Sequence, residues 1–282
     1  MYKGKWHVFC IAALGVVMLG FGIMMGVEAA DKEYRQSPVM LVAHRAGASH
    51  APENTIAALE QAILDGAPIA EIDIQQLKDG TLIVMHDSNF KRTTGVDKNV
   101  WDVDYEEMYS LGTISCFTDR DRGERVPTLE EMLQCADDRI CLMLELKYTG
   151  QELELEESVL RLLQKYQMEY RCIIGSMNSG ILERMKELDP ELETVYIAHN
   201  LQEEQLVLPY ADSYSIEAKN LTKEMTACIH AQGKPVYAWT INDKYTLQRA
   251  MDCGADGIVT DDIPMVQKIV RASCRIWSIP LL

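Results

Sequence analysis

The feature that most constrains this chain is a regular alternation of short apolar segments with amphipathic helical segments. Repeated units of this kind produce parallel sheets, because each helix carries the chain back to the start of the next strand. Eight strands within about 240 residues fit a closed (β/α)₈ barrel. The predicted strands are 39–44, 69–74, 140–147, 172–177, 193–198, 213–217, 235–240 and 257–260.

Helical periodicity follows most of these strands. A doubly wound open sheet is the alternative architecture, but no G-x-G-x-x-G motif follows the first strand, so the barrel is favoured. The chain length of 282 residues also suits a barrel that forms one domain. The predicted helices are 54–65, 128–136, 151–167, 179–188, 222–232, 244–253 and 264–271.

One interruption of the alternation predicts a hairpin. Asp79-Gly80 separates the second strand from another apolar segment, and this dipeptide is typical of tight turns. With the turn centred there, Asp73 lies opposite His86, and Glu71 shares their face because the strand period is two. These three side chains are therefore predicted to converge.

A long segment from 88 to 126 follows the hairpin. It is too long for a simple connection, so a small insertion beside the barrel is predicted. Thr128 and Glu131 then have the spacing of a capping box, which predicts the start of the next helix.

The N-terminus predicts contact with a membrane. Lys3 and Lys5 precede a run from 8 to 27 that has no charged residue and is long enough to cross a bilayer as a helix. A transmembrane anchor is preferred, with the barrel outside the cytoplasm because the lysines favour a cytoplasmic N-terminus. A cleaved signal peptide, and hence secretion, is the alternative.

Four regions follow from these patterns. The anchor or signal occupies 1–30, a polar linker 31–38, the barrel domain 39–272 and a tail 273–282. Nothing in the sequence assigns an oligomeric state.

The formal charge of −16 argues against nucleic acid as a partner, since binding to phosphate backbones requires clustered Lys and Arg. An anionic substrate would need a cation or a few placed basic groups. The eight cysteines include no C-x-x-C pair and are expected to be buried free thiols.

Polar side chains gather where the predicted strands end. In a (β/α)₈ barrel these ends meet at one mouth, where catalytic groups lie. The residues concerned are His44, Arg45, Glu71, Asp73, His86, Glu145, Lys147 and Trp239.

The residue types indicate a reaction. Glu71, Asp73 and Glu145 would repel one another without a divalent cation, and all-oxygen ligands favour Mg²⁺ or Ca²⁺. His44 and His86 come from different strands and could flank a substrate as general acid and general base.

Two cationic residues complete the pattern. Arg45 and Lys147 suit a phosphate group. Together with a hard metal and an acid–base pair they indicate phosphoryl transfer at a phosphoester.

Several other polar residues have simpler structural interpretations. Asn54 is expected to be a helix N-cap, and Asp261 and Asp262 are expected to start a helix rather than to bind metal. For Trp239, barrel packing and substrate contact stay equally open. His199 lies at a strand end but is left as structural.

At this point the chain resembles the glycerophosphodiester phosphodiesterases. The matching motifs run in order along nearly the whole barrel region, and Ala46 stands where that family usually has glycine. They are A-H-R-A-G at 43–47, A-P-E-N-T at 51–55, E-I-D-I-Q at 71–75, V-M-H-D at 84–87, R-T-T-G at 92–95, V-P-T-L-E-E at 126–131, E-L-K at 145–147 and W-T-I-N at 239–242.

The resemblance implies a (β/α)₈ enzyme with a small insertion that hydrolyses a glycerophosphodiester to sn-glycerol 3-phosphate and an alcohol. It implies that Glu71, Asp73 and Glu145 bind the metal. It also implies that His44 and His86 form the acid–base pair.

The same resemblance implies the remaining contacts and the course of the reaction. Arg45 would hold the phosphate, Lys147 would lie near it, and Trp239 would line the glycerol or leaving-group side. The glycerol 2-hydroxyl would attack phosphorus, and water would open the resulting cyclic phosphate.

Three other functions stay open at this stage. A related enzyme could release lysophosphatidic or cyclic phosphatidic acid from lysophospholipids, and a lyase of the phospholipase C type could stop at the cyclic phosphate. From another class, the barrel could be a non-catalytic binding module tethered to a membrane.

Overall fold

The computed structural model of the chain describes residues 39–110 and 123–272. The predicted anchor, linker and tail, and part of the predicted insertion, lie outside these residues. In the described part, no helix is long and apolar enough to cross a bilayer.

Eight parallel strands close into a barrel, as predicted, because the first strand pairs with both the second and the last. A ninth strand, β3, pairs antiparallel with β2 outside the barrel. The strands are β1 Met40–Ala43, β2 Ile69–Gln76, β3 Leu82–Val84, β4 Cys141–Leu146, β5 Cys172–Ser176, β6 Glu193–Ala198, β7 Ser213–Glu217, β8 Val236–Trp239 and β9 Gly257–Thr260.

The helices follow the strands at the expected places. Thr128 caps the fourth of them in the predicted capping box with Glu131. They are α1 Ile56–Leu64, α2 Lys91–Thr94, α3 Tyr105–Ser110, α4 Leu129–Ala136, α5 Leu155–Tyr166, α6 Ser179–Leu188, α7 Lys223–His230, α8 Lys244–Asp252 and α9 Ile263–Ala272.

Two apolar layers hold the barrel together. The larger layer lies between the strands and the surrounding helices. The smaller one fills the barrel interior and includes Val42, Met143, Val195, Tyr237 and Val259. A Cβ added to Gly257 would lie 2.0 Å from the Tyr237 ring, so only glycine fits there. The interior below the mouth is therefore closed by packing.

The predicted insertion begins with a small apolar cluster of its own. Phe90, Val100, Val103 and Met108 pack there against Leu77, Ile83, Met85 and Val126. The segment that leads out of the hairpin is therefore fixed on the side of the barrel before α4 begins.

The hairpin register differs from the prediction by one residue. Ile74 pairs with Val84, and β3 ends there. Asp73 is therefore opposite Met85, whose amide donates to the Asp73 carbonyl, and not opposite His86.

The cysteines of the described part are free thiols, as expected, but only Cys172 is buried. Cys228 is exposed and the other three are half-buried.

Candidate active site

Three carboxylates meet at the carboxyl ends of two neighbouring strands. Glu71 and Asp73 share one face of β2, and Glu145 on β4 pairs in register with Asp73. All three are buried, and each offers a ligand oxygen within 4.8 Å of the others. The predicted cluster is thus assembled by strand periodicity and by parallel pairing.

The cluster is electrostatically frustrated. Burial and the charge of Asp73 raise the pKa of Glu71 to about 8. Burial also raises the pKa of Glu145, against the opposing charge of Lys147. For Asp73, burial acts upwards, but the charges of Lys147 and His86 and two hydrogen bonds outweigh it and lower the pKa to about 2.

Lys147 lies within this cluster. Its Nζ is 2.7 Å from Oδ1 of Asp73 and 2.7 Å from Oε1 of Glu145. Burial acts to lower the pKa of Lys147, but these two carboxylates outweigh burial and raise it. When all three carboxylates are ionised, the ammonium neutralises one of the three negative charges, and two remain.

The donor set fits a divalent cation. All three ligands are carboxylates, which suits Mg²⁺ or Ca²⁺. Oε1 of Glu71 is buried and has no hydrogen-bond partner among the described residues, which is costly unless an ion or a polar ligand approaches it. With all three carboxylates ionised, the two uncompensated charges match the charge of such an ion.

His44 begins the short 3₁₀ turn that follows β1. Its Nδ1 is 2.6 Å from Oδ1 of Asp261, which follows β9, and the Asn242 amide donates to the other oxygen of Asp261 at 2.5 Å. Burial acts to lower the pKa of His44, but the hydrogen bond to Asp261 and the charges of Glu71 and Asp261 raise it. An ionised carboxylate only accepts hydrogen bonds, so Nδ1 carries the proton and Nε2 is left for a substrate.

His86 has a similar arrangement in the loop that follows β3. Its Nδ1 is 2.9 Å from Oδ1 of Asp87. The buried amide of Gln75 donates to the carbonyls of Met85, His86 and Asp87 at 2.8, 3.1 and 2.6 Å. His86 therefore lies at the mouth despite the shifted hairpin register, because Gln75 fixes the loop beyond the last residue pair of β2 and β3.

Arg45 follows His44 in a left-handed conformation, with φ at 49°. Its amide donates to Oε2 of Glu71 at 2.8 Å, and its Nη1 donates to Glu53 at 2.9 Å. Its Nε is 4.0 Å from Oδ2 of Asp73, buried, and without a hydrogen-bond partner among the described residues. A buried N–H donor that has no hydrogen-bond partner is suited to an anionic ligand.

Two expectations about single residues are wrong. Asn54 is not an N-cap, because Thr55 caps α1 and Asn54 instead donates to Oδ2 of Asp73 at 2.7 Å. Its backbone is left-handed, with φ at 59°. Asparagine tolerates this conformation better than most residues, and that preference is the only signal the sequence offers. Asp261 forms a hydrogen bond with His44 and does not cap a helix. Asp262 accepts a hydrogen bond from the Met265 amide at the start of α9, as expected.

The opposite side of the mouth is formed by β5 to β8. Trp239 is half-buried, donates to the Ser215 carbonyl at 3.1 Å, and packs against His199 with ring centroids 5.0 Å apart. Its peptide bond to Thr240 is cis. His199, which the sequence pattern predicts to be structural, therefore belongs to the wall of the mouth.

One cavity of about 1060 Å³ joins these groups. It is lined by His44, Arg45, Glu71, His86, Glu145, Lys147 and Trp239, that is, by all the predicted site residues except the more deeply buried Asp73. Its size is sufficient for a small phosphodiester.

Comparison with known proteins agrees with this site. The model of the glycerophosphoryl diester phosphodiesterase family matches residues 44–265. A glycerophosphodiester phosphodiesterase of Caldanaerobacter subterraneus subsp. tengcongensis is 32% identical over 241 residues, which cover 82% of this chain and 98% of that protein. One of Bacillus subtilis is 31% identical over 93% of this chain and 98% of that protein.

A solved structure is similar over the same region. It is a phosphodiesterase of Oleispira antarctica in complex with the product sn-glycerol-3-phosphate, 26% identical, with a TM-score of 0.77. The alignment covers 83% of this chain and 97% of that one. From its sequence, its fold and its site together, the chain belongs to the glycerophosphoryl diester phosphodiesterase family.

Proposed function

We propose that this phosphodiesterase hydrolyses a glycerophosphodiester to sn-glycerol 3-phosphate and an alcohol. The observation that carries the proposal is the buried carboxylate cluster in one cavity with two histidines, each anchored through Nδ1 to an aspartate. Since the chain belongs to an enzyme family, the alternative of a non-catalytic binding module is set aside.

His44 and His86 are the proposed acid–base pair. Each uses Nδ1 for its contact with a carboxylate, so Nε2 is the nitrogen that can serve a substrate. One histidine takes the proton of the glycerol 2-hydroxyl as its oxygen attacks phosphorus, and the other protonates the leaving alcohol oxygen. Water then opens the cyclic phosphate with the roles of the two groups reversed.

Glu71, Asp73 and Glu145 are the proposed ligands of a divalent cation, Mg²⁺ or Ca²⁺. When bound, such an ion supplies charge stabilisation to phosphoryl oxygens. Arg45 is proposed to hold the phosphate. Lys147 contributes positive charge from within the carboxylate cluster, and Trp239 lines the side of the organic group.

The experiment is turnover of glycerophosphocholine by the purified full-length chain, with sn-glycerol 3-phosphate detected through a coupled dehydrogenase. Product is expected with Mg²⁺ or Ca²⁺ and none after EDTA treatment. Activity that persists after exhaustive chelation would remove the metal from the proposal.

A matched pair of variants tests whether turnover depends on this carboxylate cluster or only on the total negative charge of the protein. Glu71→Gln is expected to abolish turnover, because it removes one ligand. Glu130→Gln changes a carboxylate that pairs with Lys165 on the outer helices, and it should leave turnover unchanged. Equal activity of the two variants would contradict the metal site.

A lysophospholipid is the second candidate substrate. Tyr148 and Met177 line the cavity and expose 63% and 40% of their surface, which gives the mouth an apolar edge. Comparing glycerophosphocholine with its long-chain acylated form distinguishes the two substrates. Phosphorus NMR of the product distinguishes hydrolysis from a lyase that stops at the cyclic phosphate.

We also propose that residues 1–30 hold the enzyme at the membrane, with the barrel, 39–272, outside the cytoplasm. The uncharged run at 8–27 after Lys3 and Lys5 supports this placement. Protease treatment of intact cells should degrade the barrel, and mass spectrometry of the mature N-terminus tests the alternative of a cleaved signal peptide. A barrel that is protected in intact cells would contradict the proposed orientation.

A further inference from the structure

One arginine outside the proposed machinery contacts two carboxylates beside the mouth. Arg92, in α2, donates from Nη2 and Nη1 to the two oxygens of Glu53 at 2.6 and 2.8 Å. It also donates from Nε and Nη2 to the two oxygens of Asp87 at 2.6 and 3.0 Å. A planar guanidinium can make both bidentate contacts at once, whereas an ammonium cannot.

Each of these carboxylates leads to a proposed functional residue. Asp87 contacts Nδ1 of His86 at 2.9 Å, and Glu53 accepts from Nη1 of Arg45 at 2.9 Å. The two loops of the site, one after β1 and one after β3, are thus joined by a continuous chain of ion pairs. Arg92 is its central member.

The pKa shifts of the two carboxylates agree with the geometry of this chain of ion pairs. The hydrogen bond from Arg92 is the main cause that lowers the pKa of Asp87 to about 2. Burial acts to raise the pKa of Glu53, but Arg92 and Arg45 outweigh it and lower the pKa. Both carboxylates are therefore ionised at neutral pH and act only as acceptors.

We propose that Arg92 is a positioning residue for hydrolysis, which holds His86 through Asp87 and Arg45 through Glu53. His86 needs such support more than His44 does, because it lies in a loop beyond the end of β3 and 36% of its side chain is exposed. Gln75 fixes the backbone of this loop, and the chain of ion pairs fixes the imidazole. The proposal rests on the proposed function, since hydrolysis is one of its readouts.

The first test compares Arg92→Gln and Arg92→Lys with Arg139→Gln. Arg139 makes the same kind of bidentate contact with Glu60, at 3.0 and 2.8 Å, but it precedes β4 and so lies at the other end of the barrel. Both Arg92 variants are expected to lose about 10²-fold in kcat, because small misplacements of a catalytic group have effects of this size. Arg139→Gln should keep the wild-type kcat.

The lysine variant separates positioning from simple charge. If Arg92→Lys keeps the wild-type kcat, charge alone suffices and the proposal is overturned. A double-mutant cycle with Asp87→Asn adds a second criterion. The two losses should not add if Arg92 acts through Asp87, and full additivity would contradict the proposal.

A readout that does not depend on activity completes the test. In ¹⁵N NMR of the full chain, the His86 ring should show the Nδ1–H tautomer in the wild type and lose it in Arg92→Gln. The His44 ring should be unchanged, since its partner is Asp261. A His86 signal that is the same in both proteins would overturn the proposal, whereas an inactive wild type would count against the proposed function alone.

Discussion

The two histidines of the site differ in how the fold supports them. His44 and its partner Asp261 are 217 residues apart and meet only because β1 pairs with β9. His86 and its partner Asp87 are adjacent in sequence. The His44 side chain is 16% exposed, against 36% for His86.

This difference shows two ways of fixing one tautomer. Closure of the barrel places the aspartate beside His44, the less exposed histidine, and Asn242 holds that aspartate from the neighbouring strand end. His86, the more exposed histidine, lies beyond the end of β3, and side-chain contacts from Gln75 and Arg92 support its loop instead. Variants should therefore affect the two histidines unequally.

Removal of either histidine is the largest expected effect. His44→Ala and His86→Ala should each lower kcat/KM by about 10²–10⁴-fold, the range typical of acid–base groups. His230→Ala is the matched control, because His230 lies 2.9 Å from Asp256 at the other end of the barrel. A folded His44 or His86 variant with the wild-type rate would remove that residue from the mechanism.

Substitution of the aspartate partners should lower kcat less than removal of the histidines, and the two aspartate variants should differ from each other. Asp261→Asn and Asp87→Asn should each lower kcat by about 10- to 100-fold, because the amide no longer fixes the tautomer. The larger loss is expected for Asp261, since its pair is more buried and water cannot replace the lost contact. Steady-state kinetics on both variants check the ranking, and a larger loss in Asp87→Asn would reverse the comparison.

The two carboxylates on β2, Glu71 and Asp73, have opposite pKa shifts. Glu71, next to Arg45, has its pKa raised from 4.5 to about 8, whereas Asp73 has its pKa lowered. Between these two pKa values of Glu71 the metal-free folded state binds more protons than the unfolded state, so stability falls as pH rises from about 4.5 to 8.

A divalent cation displaces that proton, so its stabilising effect should grow with pH. The rise in Tm on adding Mg²⁺ or Ca²⁺ is expected to be larger at pH 8 than at pH 6. Thermal unfolding at both pH values, with and without the metal, measures it. In Glu71→Gln both the pH dependence and the metal effect should shrink, and an unchanged profile there would contradict the assignment to Glu71.

The smallest expected effect concerns the loop that carries His44. Ala46 is buried with φ at 63°, a region that costs a residue with a Cβ about 1 kcal/mol or more. Ala46→Gly relieves this cost but adds freedom to the unfolded chain. A gain of up to about 1 kcal/mol in the free energy of unfolding by urea is therefore expected, with unchanged kcat. A clear loss of stability would show that the methyl group is needed for packing.

Much of the fold could be predicted because its signals are local. The strands at 193–198, 213–217 and 257–260 and the helix at 179–188 were predicted with the bounds that the structure has. The largest shift is at α5, which begins at Leu155 instead of 151. There Glu152 accepts hydrogen bonds from Thr149 and Gly150, and these contacts hold the preceding residues in a turn.

The membership of the site could also be predicted, because polar residues at the ends of parallel strands meet at one mouth. The contacts within the site could not. A turn centred on Asp79-Gly80 predicts Asp73 opposite His86, but the observed register differs from this by one residue. The sequence pattern predicts Asn54 as a helix cap, because nothing local shows that its left-handed backbone turns the amide towards Asp73.

The sequence by itself determined the strands, the helices, the barrel and the identities of the three carboxylates and two histidines. Each of these follows from hydrophobic periodicity or from residue types a few positions apart. The tertiary structure alone decided which partner fixes each group: Asp261 for His44, Arg92 and Gln75 for the loop of His86, and Lys147 between two carboxylates. Such partners depend on barrel closure and on side-chain geometry between distant segments, which local patterns do not encode.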